Sequence, residues 1–443
     1  MKMKKILALV LSLSVVAALC FGLTACNKDD DSADLKVGVI LVGDETEGYT
    51  KAHMNGIDAA VEALKADGKT VEVTYKKKVG ESAECSTAAE ELIAAGCTLI
   101  ISNSYGHQDY VTSVAKTHSD ITFIAMTGDY AAISGLSNLK NAFTDIYQAR
   151  YVSGVVAGMK LQELVAAGKL TSANYEGGNI KIGYVGAYSY AEVVSGYTAF
   201  YLGVKSVVSN VIMDVQYTKS WFDFDKEYET AKALIADGCV IIGQHADSEG
   251  APTACQEAYD SGKIVYSVGY NVDMLTAAPK AALTSATNNW EVYYEYAFRT
   301  ALDGGTIATD WAKGYSDGAV AITSLGTSCA EGTQAKVDDV IAKIKDGTLK
   351  VFDCSTFTVD TSATEAAYQT APTYTDGAIS AINVNLSYFD YSQTPAVEVY
   401  HSEIKDAMVT SGDTKYFSES TLRSAPYFAL RINGITELTR EVQ

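Results

Sequence analysis

Two stretches of this chain repeat one another, and the repeat limits the fold more than any other feature. Ala89–Ile101 (AEELIAAGCTLII) lines up with Ala231–Gly243 (AKALIADGCVIIG). The same shift sets Val73–Tyr75 on Val215–Tyr217, and a nearly equal one sets Lys36–Val39 on Lys181–Tyr184. Three matches in one order imply a duplicated lobe.

Each copy alternates strand and helix. In the first, Leu35–Val42, Val71–Lys76, Thr98–Ser102 and Ile121–Met126 read as strands, with helices at Thr50–Ala66 and Thr87–Ala95. Thr87 and Glu90 have capping-box spacing, and Gly96 is a stop. In the second, Ile180–Gly186, Val211–Tyr217, Val240–Gly243 and Ile264–Val268 read as strands, with helices Glu192–Val208 and Asp225–Ala236. Continuous apolar strands in β-α-β-α order predict an α/β fold whose parallel sheets are covered on both faces. Residues 145–167 form a helix expected to finish lobe one, and Lys169–Gly178 connects to lobe two.

The stretch from Gly262 to Trp290 leaves the second lobe. It holds a strand, the polar turn Gly269–Asp273, a break at Pro279 and the short apolar run Ala281–Ser285. Helix Trp290–Leu302 and strand Ala319–Ser324 are expected to return to lobe one. Helix Lys336–Lys345 and strand Leu349–Phe352 are expected on lobe two. The expected domains are residues 35–168 plus 284–324 for lobe one, and 179–283 plus 325–354 for lobe two, joined by three crossings. Residues 355–443, rich in Thr, Ser, Ala and Tyr, have weak periodicity and no assigned place.

Residues 1–25 read as a lipoprotein signal peptide. Lys2, Lys4 and Lys5 precede an apolar run, and Leu23–Cys26 reads as a lipobox with Cys26 the lipidated residue. Residues 26–34 form a polar tether. The expected location is the outer side of the cell membrane, held by lipid, with no other span long and apolar enough to cross. A chain of 443 residues exceeds one core and suits two domains. Its net charge of −20 argues against nucleic acid as a partner.

Cys20 and Cys26 belong to the export segment. Of the other six cysteines, Cys97 and Cys239 each open an apolar strand and read as buried small residues. Cys329 and Cys354 flank one helix and are the pair expected to bridge. There is no C-x-x-C, so no structural zinc is expected. Gly314–Gly318 spells G-x-S-x-G but lies between a turn and a strand, so it is a turn and no nucleophile elbow. Gly68-Lys69-Thr70 lacks the upstream Gly of a P-loop, and no G-x-G-x-x-G follows either lobe's first strand. No catalytic residue, cofactor or metal is assigned.

Parallel strands deliver their following loops to one edge, where ligands bind. Lobe one offers Tyr49, then His53 one turn into a helix, then Ser104 and Tyr105, then Thr127–Asp129. Lobe two offers Ala187–Tyr190, Trp221 and Phe222, His245 and Asp247, then Asn271 and Asp273, with Trp290 beyond. Aromatic faces from two lobes suit a flat heterocycle, and carboxylates and amides suit its N–H edge or a ribose hydroxyl. Asp273 alternatively caps the segment after it.

These residues resemble the basic membrane protein family, the purine nucleoside receptor type of ABC-transporter substrate-binding lipoprotein. The resemblance spans roughly 35–352. It rests on Arg150-Tyr151-x-x-Gly154-x-x-Ala157-Gly158, Lys181–Val185, Trp221-Phe222-Asp223, Val268–Asn271 with Asp273, and Leu283–Ser285. It implies a type I periplasmic-binding-protein fold with a purine base or nucleoside between two Rossmann-like lobes. It further implies that Tyr49 and Trp221 stack on the base and that the Asn271–Asp273 turn meets ribose. In the family the first turn residue is Asp; here it is Asn271. The Lys that many members carry after Leu-Thr-Ser is missing from Ala286–Trp290. With His53, His245, Asp247 and Trp290, that leans toward a free base such as adenine. The expected protein is a monomer that hands its solute to a membrane permease. The alternatives are the same clamp for another solute, such as a sugar, or a sensor without transport.

Overall fold

The computed structural model describes residues 33–361 and 370–440. The expected signal peptide, Cys26 and most of the expected tether lie outside the described residues. Val37, Val39 and Ile40 have no exposed surface, as expected of a strand covered on both faces. Their strand, Leu35–Ile40, lies inside a six-stranded sheet. The order is Asp310–Lys313, Leu139–Thr144, Thr122–Met126, Leu99–Ser102, Leu35–Ile40, Val71–Lys76, and every pairing is parallel.

The second sheet runs Val320–Ile322, Ala282–Asn288, Tyr266–Tyr270, Ile241–Gln244, Asn179–Gly186, Val211–Tyr217, Ile435–Leu438. The first of these is antiparallel to its neighbour. Along the rest of that order every pairing is parallel. The chain passes between sheets three times: after Thr144, between Asn288 and Glu291, and between Lys313 and Val320.

Several expectations are corrected. Helix Ile146–Ala166 does not finish lobe one; its Val152, Val155 and Leu161 share the core of lobe two. A Cβ on Gly154 would collide with the carbonyl oxygen of Phe200, and one on Gly203 with that of Tyr151. Two glycines therefore let this helix and Ala191–Lys205 meet backbone to backbone, which a periodicity argument does not register. The strand expected at Ala319–Ser324 (observed Val320–Ile322) and all of Ala282–Asn288 belong to the lobe-two sheet, so the boundary at residue 284 is wrong. Helix Ala83–Ala94 starts four residues before Thr87, because Ser82 accepts from the Glu84 amide and serves as its cap. The expected strand at Leu349–Phe352 is not formed. The strands Leu139–Thr144 and Asp310–Lys313 and the helices Gln108–Ala115 and Gly250–Asp260 were not anticipated.

Cys329 and Cys354 are not bridged; all six cysteines among the described residues are free. Gly314–Gly318 is a 3-10 turn closed by Gly318 in the left-handed region. Residues 355–361 and 370–440 are not a loose appendage. Strand Ile435–Leu438 forms an edge of the second sheet. Phe428 stacks on Phe352 at 4.3 Å within the same core. No helix among the described residues is long and apolar enough to cross a membrane.

Candidate functional site

The loops that follow the parallel strands face a cavity of about 490 Å³. Lobe one contributes Tyr105, Gln108, Asp109, Thr127, Asp129 and Phe143 to its wall, and lobe two Tyr188, Tyr190, Glu192 and Trp221. The volume falls within the ~300–1,000 Å³ of small-molecule sites.

Trp221 sits at the end of strand Val211–Tyr217, half-buried, where the turn after Thr218 leaves it beside Tyr188. The two rings meet edge to face at 5.2 Å, and Tyr188 stacks on Tyr190 at 5.3 Å. Such a cluster offers large apolar faces with hydroxyl tips.

A hydrogen-bonded row lies beside the cavity. Asn271 donates to Asp247 at 2.7 Å, Asn288 donates to Asn271 at 3.0 Å, and Thr144 donates to Asn288. Thr144 and Asn288 end strands at two of the crossings, so the row couples the hinge to the lobe-two loops. Asn271 has a φ of 62°, a conformation that Asn tolerates better than most residues. Burial, followed by the charges of Glu47 and Glu227, holds the Asp247 carboxyl well above the usual range. The Gly48 amide donates to the Asp247 carbonyl at 3.3 Å, bringing the first helix of lobe one against lobe two.

Behind the wall, His245 meets Glu192 at 3.3 Å and Tyr270 at a ring distance of 5.1 Å. Burial and then the Arg150 guanidinium lower its imidazole to about 4. Arg150 lies 3.5 Å over the Tyr270 ring and donates to the Gln244 carbonyl at 2.6 Å.

Trp221 and Tyr105 therefore line the cavity, and Ser104 donates to Glu81, itself part of the wall. His245, Asp247 and Asn271 are buried and do not line it: His245 sits against Glu192 of the wall, and the Asp247 amide donates to the Trp221 carbonyl. Tyr49 is not in the wall: its hydroxyl donates to the Asn103 carbonyl and its ring edge rests on His53 at 4.5 Å.

Four of the expected residues fail on burial or exposure. His53 and Trp290 stack at 4.5 Å inside lobe one, where Trp290 is 1% exposed and His53 meets the Tyr294 hydroxyl at 2.6 Å. Burial lowers the His53 imidazole to about 3. Asp273 is exposed and accepts from the Leu275 amide, so it caps its own turn. Phe222 is 40% exposed and outside the wall.

Sequence reasoning reached the strand-end loops of Asp129, Tyr188 and Tyr190 but did not single those residues out. Their abundant residue types carried no further signal. Glu192, Gln108 and Asp109 sit on helices just past those loops. Tyr388 and Arg423, also in the wall, come from the unplaced C-terminal segment and had no signal at all.

Two parallel-sheet lobes, three crossings and a cavity at the strand ends define the periplasmic-binding-protein type of fold. A solute-binding protein of an ABC transporter system from Aeropyrum pernix has the same architecture, with a TM-score of 0.57 at 16% identity, covering 72% of this chain and 93% of that one. Residues 35–354 match the family model of PnrA-like ABC transporter substrate-binding proteins, and the chain belongs to this Bmp family. It is 33% identical over 319 residues to a purine-binding protein of Brucella abortus, covering 72% of this chain and 83% of that protein. It is 26% identical over 330 residues to a putative ABC transporter glucose-binding protein of Haloferax volcanii, covering 74% of this chain and 76% of that protein. The family is one of transporter substrate-binding proteins that face the periplasm or cell exterior, which implies a small-molecule ligand and a permease partner.

Proposed function

We infer that this protein captures a purine base or nucleoside in the cleft and delivers it to the permease of an ABC importer. The observation that carries the reading is the cavity itself: Trp221, Tyr188 and Tyr105 supply ring faces, and Glu192, Asp109 and Asp129 supply acceptors beside them. A purine has a flat π-face for the first set and N–H donors for the second. The purine-binding relative supports the choice of ring. In this reading Trp221 is the stacking platform, and the buried Asp247–Asn271 pair holds the loop that presents the polar edge. Stacking with a few hydrogen bonds in a closed cleft suffices for micromolar capture, about −8 kcal/mol. The mature chain is a monomer tethered through lipidated Cys26, facing outward, and the lobes close by hinge motion at the three crossings.

A sugar is the second reading, since aromatic faces flanked by carboxylates also suit hydroxyl-rich rings and one relative is a putative glucose-binding protein. Titration calorimetry with adenine, adenosine, guanosine, inosine and glucose separates the two. Heat from a purine and none from glucose is expected; the reverse pattern rejects the purine.

A further inference from the structure

The family match ends at residue 354, but the chain returns to the cleft after that point. Residues 384–392 and 423–427 form a side of the cavity. On lobe one, Tyr388 stacks on Tyr130 at 4.3 Å and 18°, and its hydroxyl donates to Asp109. The Tyr391 amide donates to the other Asp109 oxygen at 2.9 Å. Arg423 pairs with Asp129 at 2.8 Å, the two side chains 18% and 7% exposed. On lobe two, Ser195 donates to Glu419 at 2.7 Å, and Arg431 donates to Ser189 at 2.7 Å. The segment is thus pinned to both lobes, and the stretch between the pins faces the solute space.

A passive tail would not need a desolvated ion pair at the rim of a binding cavity, since holding one out of water costs free energy unless its geometry is good. Here Asp129 accepts from both Gln108 and Arg423, so the pair is well satisfied. We propose that this C-terminal segment is a third wall of the solute site. Tyr388 is 3% exposed but reaches the cavity lining, where its open edge meets the part of the solute that lies outside its flat ring, and Arg423 positions the wall. The chemistry of that part follows from what faces it. Glu81, Asp109, Asp129 and Glu192 give the cavity more carboxylates than cations. Like charge opposes a phosphate, and acceptors welcome hydroxyl donors. The third wall therefore suits the sugar of a nucleoside. This inference rests on the purine reading above.

The test is calorimetry on the full mature chain with adenosine, adenine and adenosine monophosphate. Wild type, Tyr388→Ala, Tyr388→Phe, Arg423→Ala and Arg423→Lys are compared, with circular dichroism confirming the fold of each. Tyr388→Ala and Arg423→Ala are expected to weaken adenosine at least tenfold and adenine less than threefold. Tyr388→Phe keeps the ring and should restore most of the adenosine affinity. Wild type should bind the monophosphate at least tenfold more weakly than adenosine. Where the alanine variants do not fold, the two conservative variants decide, through a shifted adenosine-to-adenine ratio in Arg423→Lys and an intact one in Tyr388→Phe. Adenosine and adenine falling together, variants matching wild type, or a wild type that takes adenine and refuses adenosine each overturn the third wall alone. A wild type silent to every purine overturns the functional reading, and this inference with it.

Discussion

Asn271 donates a 2.7 Å hydrogen bond to Asp247, and neither residue has appreciable contact with solvent. In this chain the neighbouring carboxyl is already held up by burial, Glu47 and Glu227. Asn271→Asp would add a second carboxyl within bonding distance, and the two would have to share a proton. The backbone tolerates the exchange, since Asp accepts positive φ much as Asn does. A folded pKa raised above the unfolded value gives stability that is present in acid and lost as pH rises. The variant is therefore expected to lose about 2 kcal/mol more than wild type at pH 8 than at pH 5, measured by paired urea melts. Equal losses at both pH values would show that the site stays hydrated.

Trp221→Ala removes the largest ring face in the cavity wall. Base-aromatic stacking is worth ~1–3 kcal/mol, so purine affinity should fall about tenfold or more. The ring is half-buried, so the melting temperature should move less than for a core aromatic. Unchanged affinity would remove Trp221 from the site.

Glu419 in the C-terminal segment is enclosed by Ser195 and by the amides of Tyr427 and Phe428. Burial raises its pKa from 4.5 to about 7. The folded protein therefore holds a proton that the unfolded chain releases, and the stabilisation is complete below about pH 4.5 and lost through pH 7. From 4.5 to about 7 this amounts to about 3 kcal/mol. The buried imidazoles of His53 and His245 act in the opposite direction, but they are common to wild type and variant. The stability of wild type relative to Glu419→Gln should fall by about that amount from pH 5 to pH 8. A constant gap would mean that the carboxyl titrates normally.

Gly154→Ala tests the contact between helices Ile146–Ala166 and Ala191–Lys205. The added methyl meets the backbone carbonyl of Phe200, which has no side-chain freedom to move aside. A loss of about 1–3 kcal/mol is expected, with ligand affinity retained in the folded protein. An unchanged melting temperature would mean that the helices slide apart without cost.

The sheets were legible because strands covered on both faces carry near-continuous apolar runs, as at Val37–Ile40 and again at Ile182–Val185. The place of Trp221 in the cavity wall was legible in part, because it follows a polar run at a strand end; that its ring also packs on the lobe-two core was not. His53 and Trp290 were misread, because a ring at a strand end and a ring turned into the core have the same local sequence. Only packing separates them, and here His53, Trp290 and Tyr294 close on one another inside lobe one.

The chain's own order of apolar runs, turns and helix stops dictates two α/β lobes, and with them the edge at which a ligand can sit. Which lobe owns helix Ile146–Ala166, and which side chains line the cavity, was settled only by the folded arrangement. Both depend on contacts between residues far apart in sequence: Gly154 with Phe200, Arg423 with Asp129, Tyr388 with Tyr130. Local propensity acts over a few residues along the chain, whereas desolvation and close packing act between whatever surfaces the fold brings together.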